Sequence, residues 1–475
     1  VSRRGARAPD AGNLPLDAAA EAPARFDAAW LGARLTAMLG SLRGRRLCVA
    51  YSGGLDSGVL LSALAALRKR ERFVLRALHV DHRLQPQSAD WARAAHRRAR
   101  QLRVPCKTIT VRIAHRRGQS LEAAARETRY RALAAELAPD ELLLTAHHQE
   151  DQLETVLLAL LRGSGVRGLA AMSAVSSWAD TLLLRPLLPV NRRQLEQYAR
   201  ARRLDWSEDP SNTDERFDRN YLRRTVLPLI RQRWPAAGAT VSRSAAHLAE
   251  ARSLLEQLAR SSLQAAHDGA ALSVSVLRRL ALPQRRNAVR QWIAELGLQL
   301  PDHRRVREIC GPMLEARGDA LPRVSWRGGE LRRYADRLFA FGAAPPRRPV
   351  PIEQWDWRAR PWLALAGGGA LGLVRDRHGD VRLSALPRLL RVQHRRGGER
   401  LRAAHGRLAL KDLLQAQGVA PWERAAVPLI MHAGRVIAVA DLWLDRAYRA
   451  EHERPARRGR FRWRRRDAPS GTGKR

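Results

Sequence analysis

Cysteine is scarce: Cys48, Cys106 and Cys310 are the only three in 475 residues. So far apart, they exclude a disulfide framework and any CxxC pair for zinc or an iron–sulfur cluster, and they suit a reducing, cytoplasmic compartment. No run of about 18 apolar residues occurs, so no membrane partner or spanning helix is expected. Residues 1–25 lack the apolar centre of a secretory signal and read as a flexible Pro/Ala/Arg extension. Lysine is nearly absent, with Lys69, Lys107, Lys411 and Lys474 the only four among 86 basic residues. The lysine-bearing GxxxxGK[ST] loop is missing too, which weakens a kinase or motor reading. Acidic residues are in the minority, 46 against those 86, leaving a net charge of +40. Such a surplus attracts polyanions, and nucleic acid is the leading partner class. The same arginine-, alanine- and glycine-rich composition also follows from GC-rich coding, so charge nominates a partner without establishing one.

What is present is organised. The length favours about three domains, and 45% hydrophobic residues supply sizeable cores. From residue 46 the chain alternates apolar runs (47–51, 74–80, 108–113, 141–147) with helical patterns (57–70, 88–102, 121–137, 151–161), after a first helix over 26–42. Strands alternating with helices imply βαβ units and an α/β domain on a parallel, Rossmann-like sheet. A region over 216–343 reads as mostly helical, opening on a long helix (240–266), with short strand-like pieces at 271–276, 323–326 and 337–341. Proline-rich 344–355 reads as a linker. A small α+β domain is expected over 356–450, with strands at 362–365, 389–392 and 436–440 around a helix at 410–417, and a basic tail over 451–475.

Directly after the first strand stands Ser52-Gly53-Gly54-Leu55-Asp56-Ser57, leading into a helix. Two glycines permit a tight turn whose N–H groups converge as an anion nest at the positive end of that helix, with the two serines adding hydroxyls. A carboxylate cannot face phosphate unaided, so Asp56 is read as a ligand for Mg²⁺. The hexad resembles the pyrophosphate loop of the ATP pyrophosphatase (PP-loop) superfamily, whose members cleave ATP between its α and β phosphates to adenylate a substrate. That resemblance implies ATP held by Ser52 through Ser57.

Further blocks discriminate within the superfamily. His147-His148-Gln149-Glu150-Asp151-Gln152-Leu153-Glu154-Thr155 resembles the HxxDDQxET block of the tRNA(Ile)-lysidine synthases. Arg162-Gly163-Ser164-Gly165, Arg185-Pro186-Leu187-Leu188, Glu208-Asp209-Pro210-Ser211-Asn212 and Arg219-Asn220-Tyr221-Leu222-Arg223 follow in that family's order. Glu122 with Arg126, then Arg129-Tyr130, are similar upstream, and Leu410-Lys411 with Gly418-Val419-Ala420-Pro421-Trp422-Glu423-Arg424 downstream. The likeness spans about 45–445. Two departures stand in Asp81-His82-Arg83-Leu84-Gln85, where Arg83 replaces a glycine and Gln85 an arginine, and Glu150 replaces the first of two paired aspartates.

The resemblance implies that ATP adenylates the C2 oxygen of the wobble cytidine in isoleucine tRNA with a CAU anticodon, and that the ε-amine of L-lysine displaces AMP to give lysidine. His148, Asp151 and Glu154, three apart on one helical face, then become candidates for meeting the amine, with Asp56 catalytic and metal-binding. The same spacing also suits a solvated acidic face with a capping histidine. Arg126 and Arg129 are expected on ATP, or on a solvated helix surface. Arg219, Asn220 and Arg223 are expected to meet RNA or close the site. Lys411, Trp422 and Arg424 are expected on tRNA, Trp422 suiting a core position equally well. The sequence is silent on oligomeric state, and a homodimer is compatible with it. A PP-loop tRNA thiolase and a nonenzymatic RNA-binding protein are the competing readings.

Overall fold

The structure is a computed structural model that describes residues 23–83, 85, 87–113, 121–207, 214–342, 353–365, 369–395, 397–403, 406–451 and 453–464. The sequence block 208–212 and most of the expected linker lie outside the described residues. The chain divides into two compact units, residues 1–255 and 256–475. Among the described residues no helix is long and apolar enough to cross a membrane.

The first unit runs α1 (Ala28–Leu39), β1 (Arg46–Ala50), α2 (Leu55–Glu71), β2 (Val74–Asp81), α3 (Ser88–Gln101), β3 (Cys106–Thr110), α4 (Leu121–Glu136), β4 (Glu141–Leu144) and α5 (Gln149–Leu161). Then come α6 (Val166–Leu169), β5 (Val175–Trp178), β6 (Thr181–Leu184), α7 (Arg192–Ala201), α8 (Asp218–Tyr221), a π-helical turn (Leu222–Val226) and α9 (Leu227–Arg233). Helix α10 (Ala237–Ala266) crosses the boundary between the units. The sheet order is β3-β2-β1-β4-β6-β5, parallel throughout except for β5 against β6. Strands covered on both faces read as continuous apolar runs, and all four residues of β4 are buried. Leu47 and Val49 of β1 join Leu60, Leu61 and Leu64 of α2 on one side, while Cys48 joins Leu78, Leu143 and Leu133 on the other. Because β1 lies between β2 and β4, the connections diverge there and open a crevice at the carboxyl ends of the strands.

In the second unit β7 (His267–Asp268), β8 (Ala271–Ser273), α11 (Val274–Arg279), α12 (Leu282–Glu295), α13 (His303–Glu308), β9 (Arg323–Trp326), β10 (Gly329–Tyr334) and β11 (Arg337–Phe341) form a helix-covered antiparallel sheet of order β7-β8-β11-β10-β9. The strand expected over 271–276 stops at Ser273, whose Oγ accepts from Val276 N at 3.3 Å and starts α11. Strand β10 escaped the sequence reading because arginines occupy both its faces. Arg333, 5% exposed, donates from Nη1 to the carbonyls of Leu314 at 2.8 Å and Ala316 at 2.7 Å.

The remaining chain is rich in strand: β12 (Glu353–Asp356), β13 (Trp362–Ala364), β14 (Ala370–Arg375), β15 (Val381–Arg382), β16 (Leu389–His394), β17 (Arg400–Ala403), β18 (Gly406–Ala409), helix α14 (Leu410–Ala416), β19 (Pro428–His432), β20 (Arg435–Val439), β21 (Trp443–Leu444) and β22 (Arg458–Arg464). They make sheets β12-β16-β19-β20-β21 and β13-β14-β22-β15 and a β17-β18 hairpin. Here the expected basic tail is corrected: Arg458–Arg464 is an inner strand between β14 and β15. Period-2 alternation is the reason. Gly459 and Phe461 are buried and Trp463 half-buried between arginines, of which Arg462 and Arg464 are exposed. A Cβ on Gly459 would lie 2.7 Å from Leu383 Cδ2.

Phe461→Ala should therefore cost about 3–5 kcal/mol of unfolding free energy, read as a lowered denaturant midpoint. An unchanged midpoint would return these residues to a dispensable tail.

Candidate active site

The loop after β1 is built for close backbone approach. Gly53 has φ +83°, the left-handed region that glycine enters without penalty. Its carbonyl accepts from Arg98 Nη1 at 3.1 Å and from Ser207 N at 3.1 Å, and Arg98 Nη1 also reaches Ser207 Oγ at 3.0 Å. Ser52 Oγ accepts from Gly54 N at 3.3 Å and lies 3.0 Å from Ser57 Oγ. Gly54 caps α2 with no side-chain bond, and Leu55 and Asp56 begin the helix, leaving its first N–H groups for an external acceptor. No sequence signal marked Arg98 or Ser207, whose partners lie 45 and 109 residues apart.

At the end of β4, α5 starts beside this loop. Asp151 Oδ2 accepts from His148 N at 3.0 Å, so the block is a helix cap as well as a charge cluster. The face is not solvated: His148 is 2% and Glu154 0% exposed. His148 Nε2 lies 3.6 Å from Asp56 Oδ2 and 3.5 Å from Asp151 Oδ2, and Nδ1 lies 2.9 Å from Glu150 Oε2. Burial alone would lower this imidazole's pKa, but Asp151 above all, then Asp56 and Glu150, raise it well above the ordinary 6.5. With the ring protonated, Nδ1 donates to Glu150 and gives nothing to the Glu150 N–H, 3.3 Å away. Neighbouring His147 behaves oppositely: burial, reinforced by Arg185, Arg126 and Arg219 against the pull of Asp151, drives it down to about 3. Burial pushes the Asp151 carboxyl up, yet His148 and His147 bring it to about 2.

The acidic residues are met from the far side by the segment 218–233. Arg223, in the π-helical turn, donates from Nε to Glu154 Oε1 at 2.7 Å and from Nη2 to Glu154 Oε2 at 2.9 Å and Asp151 Oδ1 at 3.2 Å. Arg219 adds Nε to Glu154 Oε2 at 3.1 Å and donates to Thr155 Oγ1 at 3.1 Å. Leu153 of α5, Leu227 of α9 and Ala237 of α10 form the apolar contact that seats this segment. One expectation thus changes. Glu154, offered as a group for the lysine amine, has both oxygens taken by arginines and no surface. Arg219 and Arg223, expected to meet RNA or close the site, turn inward onto Glu154 and close the cluster. Asn220 Nδ2 donates to Asp214 O at 2.9 Å. Arg192, which the sequence reading passed over, reaches Asp56 Oδ1 at 3.8 Å and donates its backbone N–H to Glu150 at 3.0 Å.

Arg126 stacks on Tyr130 at 5.2 Å, and exposed Arg129 acts on His82, whose pKa burial and then Arg129 lower to about 4. Arg83 takes up a left-handed φ of +50°, the region that favours glycine, and donates its N–H to Asp81 Oδ1 at 2.8 Å. Gln85 N lies 3.3 Å from Ser88 Oγ. In the second unit Lys411 is exposed on α14. Trp422 packs edge-on against Tyr334, Phe339 and Phe341. Arg424, 9% exposed, spends Nε on Val419 O at 2.9 Å and Nη2 on Tyr334 Oη at 3.3 Å. Cys48 and Cys310 are buried, and burial holds their thiols up at about 12 and 11, with Cys106 at about 11.

Profiles for three families match consecutive stretches: the PP-loop domain over residues 30–230, the TilS substrate binding domain over 272–339 and the TilS substrate C-terminal domain over 390–463. The tRNA(Ile)-lysidine synthase of Alkalilimnicola ehrlichii is 44% identical over 421 residues, covering 88% of this chain and 94% of its own. The chain belongs to the tRNA(Ile)-lysidine synthase family. Synthases of Pseudomonas aeruginosa, 43% identical over 83% of this chain and 89% of theirs, and of Coxiella burnetii, 38% identical over 86% and 91%, bracket the same span. The family's fold and its ATP-utilising loop domain therefore hold for this chain, and the strand-rich matched region ends at residue 463, inside β22.

Two measurements follow. In nucleotide-free protein His148 should remain an imidazolium through neutral pH. With its folded pKa above 6.5, its stabilisation is complete below that value and lost as pH rises through the folded pKa. Asp151, depressed from 3.8 to about 2, stabilises above its unfolded value and loses that as pH falls toward 2. Asp151→Asn removes the chief support and should bring the His148 ring down, visible in an imidazole NMR titration; a wild-type ring titrating at its ordinary value would refute the assignment. Separately, Arg223→Ala should cost about 1–3 kcal/mol by leaving the buried Glu154 carboxylate with Arg219 as its remaining ion-pair partner, and adding Glu154→Gln should recover most of it in a double-mutant cycle.

Proposed function

We propose that the protein ligates L-lysine to C2 of the wobble cytidine of isoleucine tRNA bearing a CAU anticodon, in the cytoplasm, through an adenylated cytidine, giving lysidine. The observation that carries the reading is the meeting of the glycine nest with the His148–Asp151 cluster around one carboxylate, Asp56. Residues 26–215 would be the catalytic domain, 216–343 the middle tRNA-binding domain, and 356 through β22 the C-terminal recognition domain.

The chemistry assigns the parts. A ring carbonyl oxygen is a poor leaving group until it carries phosphate. The cytidine O2 attacks the α-phosphorus of ATP, and the bond to the β-phosphate breaks. Backbone N–H groups of the Ser52–Ser57 turn, the α2 terminus and arginines 126 and 129 stabilise charge gathering on pyrophosphate. Asp56 fits Mg²⁺, because its Oδ1 is buried with no hydrogen-bond partner among the described residues; the bound ion would neutralise phosphate charge. The ε-amine of lysine then attacks C2, the C–O bond breaks and AMP departs. Free lysine has a pKa of about 10.4, and a carboxylate near 2 is too weak a base to deprotonate it beforehand. Asp151 therefore holds the ammonium in place; the fraction that has lost one proton to water attacks C2 as the free amine, and Asp151 takes the second proton once C–N bond formation has made the nitrogen acidic. Imidazolium His148 keeps Asp56, Glu150 and Asp151 from repelling one another.

Thiolation is opposed by the cysteines, two buried and all with raised thiol pKa values, which makes them poor sulfur carriers. Mass spectrometry of the wobble nucleoside after incubation with ATP, lysine and CAU tRNA should find lysidine. Asp56→Asn and Asp151→Asn should each lower the rate by at least about a hundredfold, with tRNA affinity within about twofold. A thiolated or unmodified base from the wild-type protein would reject the function; parallel loss of tRNA binding would reject the residue roles.

A further inference from the structure

Strand alternation leaves an unusual outer face on the middle sheet. Leu331 of β10 and Leu338 of β11 point into the core beside Trp292 and Ile293. The intervening positions, Arg332 and Tyr334 on β10 and Phe339 and Phe341 on β11, fall on the opposite face. Three aromatic rings on the outside of a sheet demand a cover, and all three are half-buried.

Trp422 is that cover. Its ring centroid lies 6.2 Å from Tyr334, 5.3 Å from Phe339 and 5.7 Å from Phe341, at 76–81° to each, the edge-to-face arrangement aromatic quadrupoles favour. The Arg332 guanidinium lies 5.4 Å over Trp422 and 5.2 Å over Phe341, and Glu330 fixes it by an ion pair. Two residues on, Arg424 crosses the same junction to Tyr334 Oη. Trp422 Nε1 is buried with no hydrogen-bond partner among the described residues, so ring contacts hold the indole in place.

We propose that Trp422 and Arg424 are positioning residues that clamp the C-terminal domain onto the outer face of the middle sheet, so that the two modules present one rigid surface to a long RNA. This rests on the tRNA-modifying function above. The clamp acts through geometry: neither side chain needs to touch RNA, and its loss would be felt where binding requires both modules at once.

The test pairs kinetics with a distance. In the full chain, spin labels are placed on cysteines substituted at exposed Arg317 and Arg435, with Cys106→Ser, and the inter-label distance is read by pulsed electron resonance. Trp422→Ala should broaden the distance distribution and raise KM for full-length tRNA by about tenfold with kcat within about twofold. Trp422→Phe should restore both. A raised KM with an unchanged distance would mean that Trp422 contacts RNA itself, and no change in either would mean the junction is not held this way; each overturns the proposal. If wild-type protein makes no lysidine, the function fails, and the label distances still decide the clamp.

Discussion

Burying carboxylates is what this catalytic unit must continually offset. Glu154 has no accessible surface and Asp151 only 15%, and an unpaired charge there costs several kcal/mol. The cations that answer come from three separate segments: His148 from the end of β4, Arg192 from the start of α7, and Arg219 and Arg223 from the segment 218–233. Charge pairing at one point thus ties the loop, α5 and the returning helices into a single arrangement. The nest depends on it too, since Asp56 is placed between His148 and Arg192.

Two adjacent histidines show how fully environment decides protonation. His148 is buried and His147 half-buried, and desolvation presses each toward the neutral ring. His148 has carboxylates on three sides and stays charged. At His147, with Thr145 Oγ1 at 2.9 Å, desolvation prevails over the pull of Asp151, Arg185, Arg126 and Arg219 add to it, and the ring gives up its proton. Without a third neighbour in space, the spacing alone cannot distinguish them.

The parallel sheet and the glycine turn were legible in the sequence because both are local: apolar runs of β1 and β4, and two glycines between strand and helix. The capping role of the block at 148–151 was legible for the same reason. What stayed hidden is long-range. For Arg223 the sequence leaves RNA contact and closure of the site both open, because nothing in RNYLR says that a π-helical turn swings it back 69 residues to Glu154. Arginine also concealed structure by acting as a core residue. Arg285 donates to the carbonyls of Leu277 and Cys310 at 3.0 and 2.7 Å, and Arg333 does the same beside α13. In β22 an alternation of Gly459, Phe461 and Trp463 was masked by the arginines between them, and the strand passed for a tail. Part of the +40 therefore serves helix ends and strand pairing rather than a polyanion.

That division of labour bears on how the site receives its ligands. Asp56, Glu150, Asp151 and Glu154 are already matched by His148, Arg192, Arg219, Arg223 and Arg231, so the resting cluster is close to neutral. An incoming cation cannot simply add to it; it must share or replace a resident one. Arg223, 38% exposed and held to Asp151 by one contact of 3.2 Å, is the most easily displaced from that carboxylate, whereas Glu154 keeps Arg219 whatever happens at Asp151. A cationic ligand that displaced Arg223 would make up the pairing Asp151 loses, whereas a neutral one would leave that carboxylate to His148 alone.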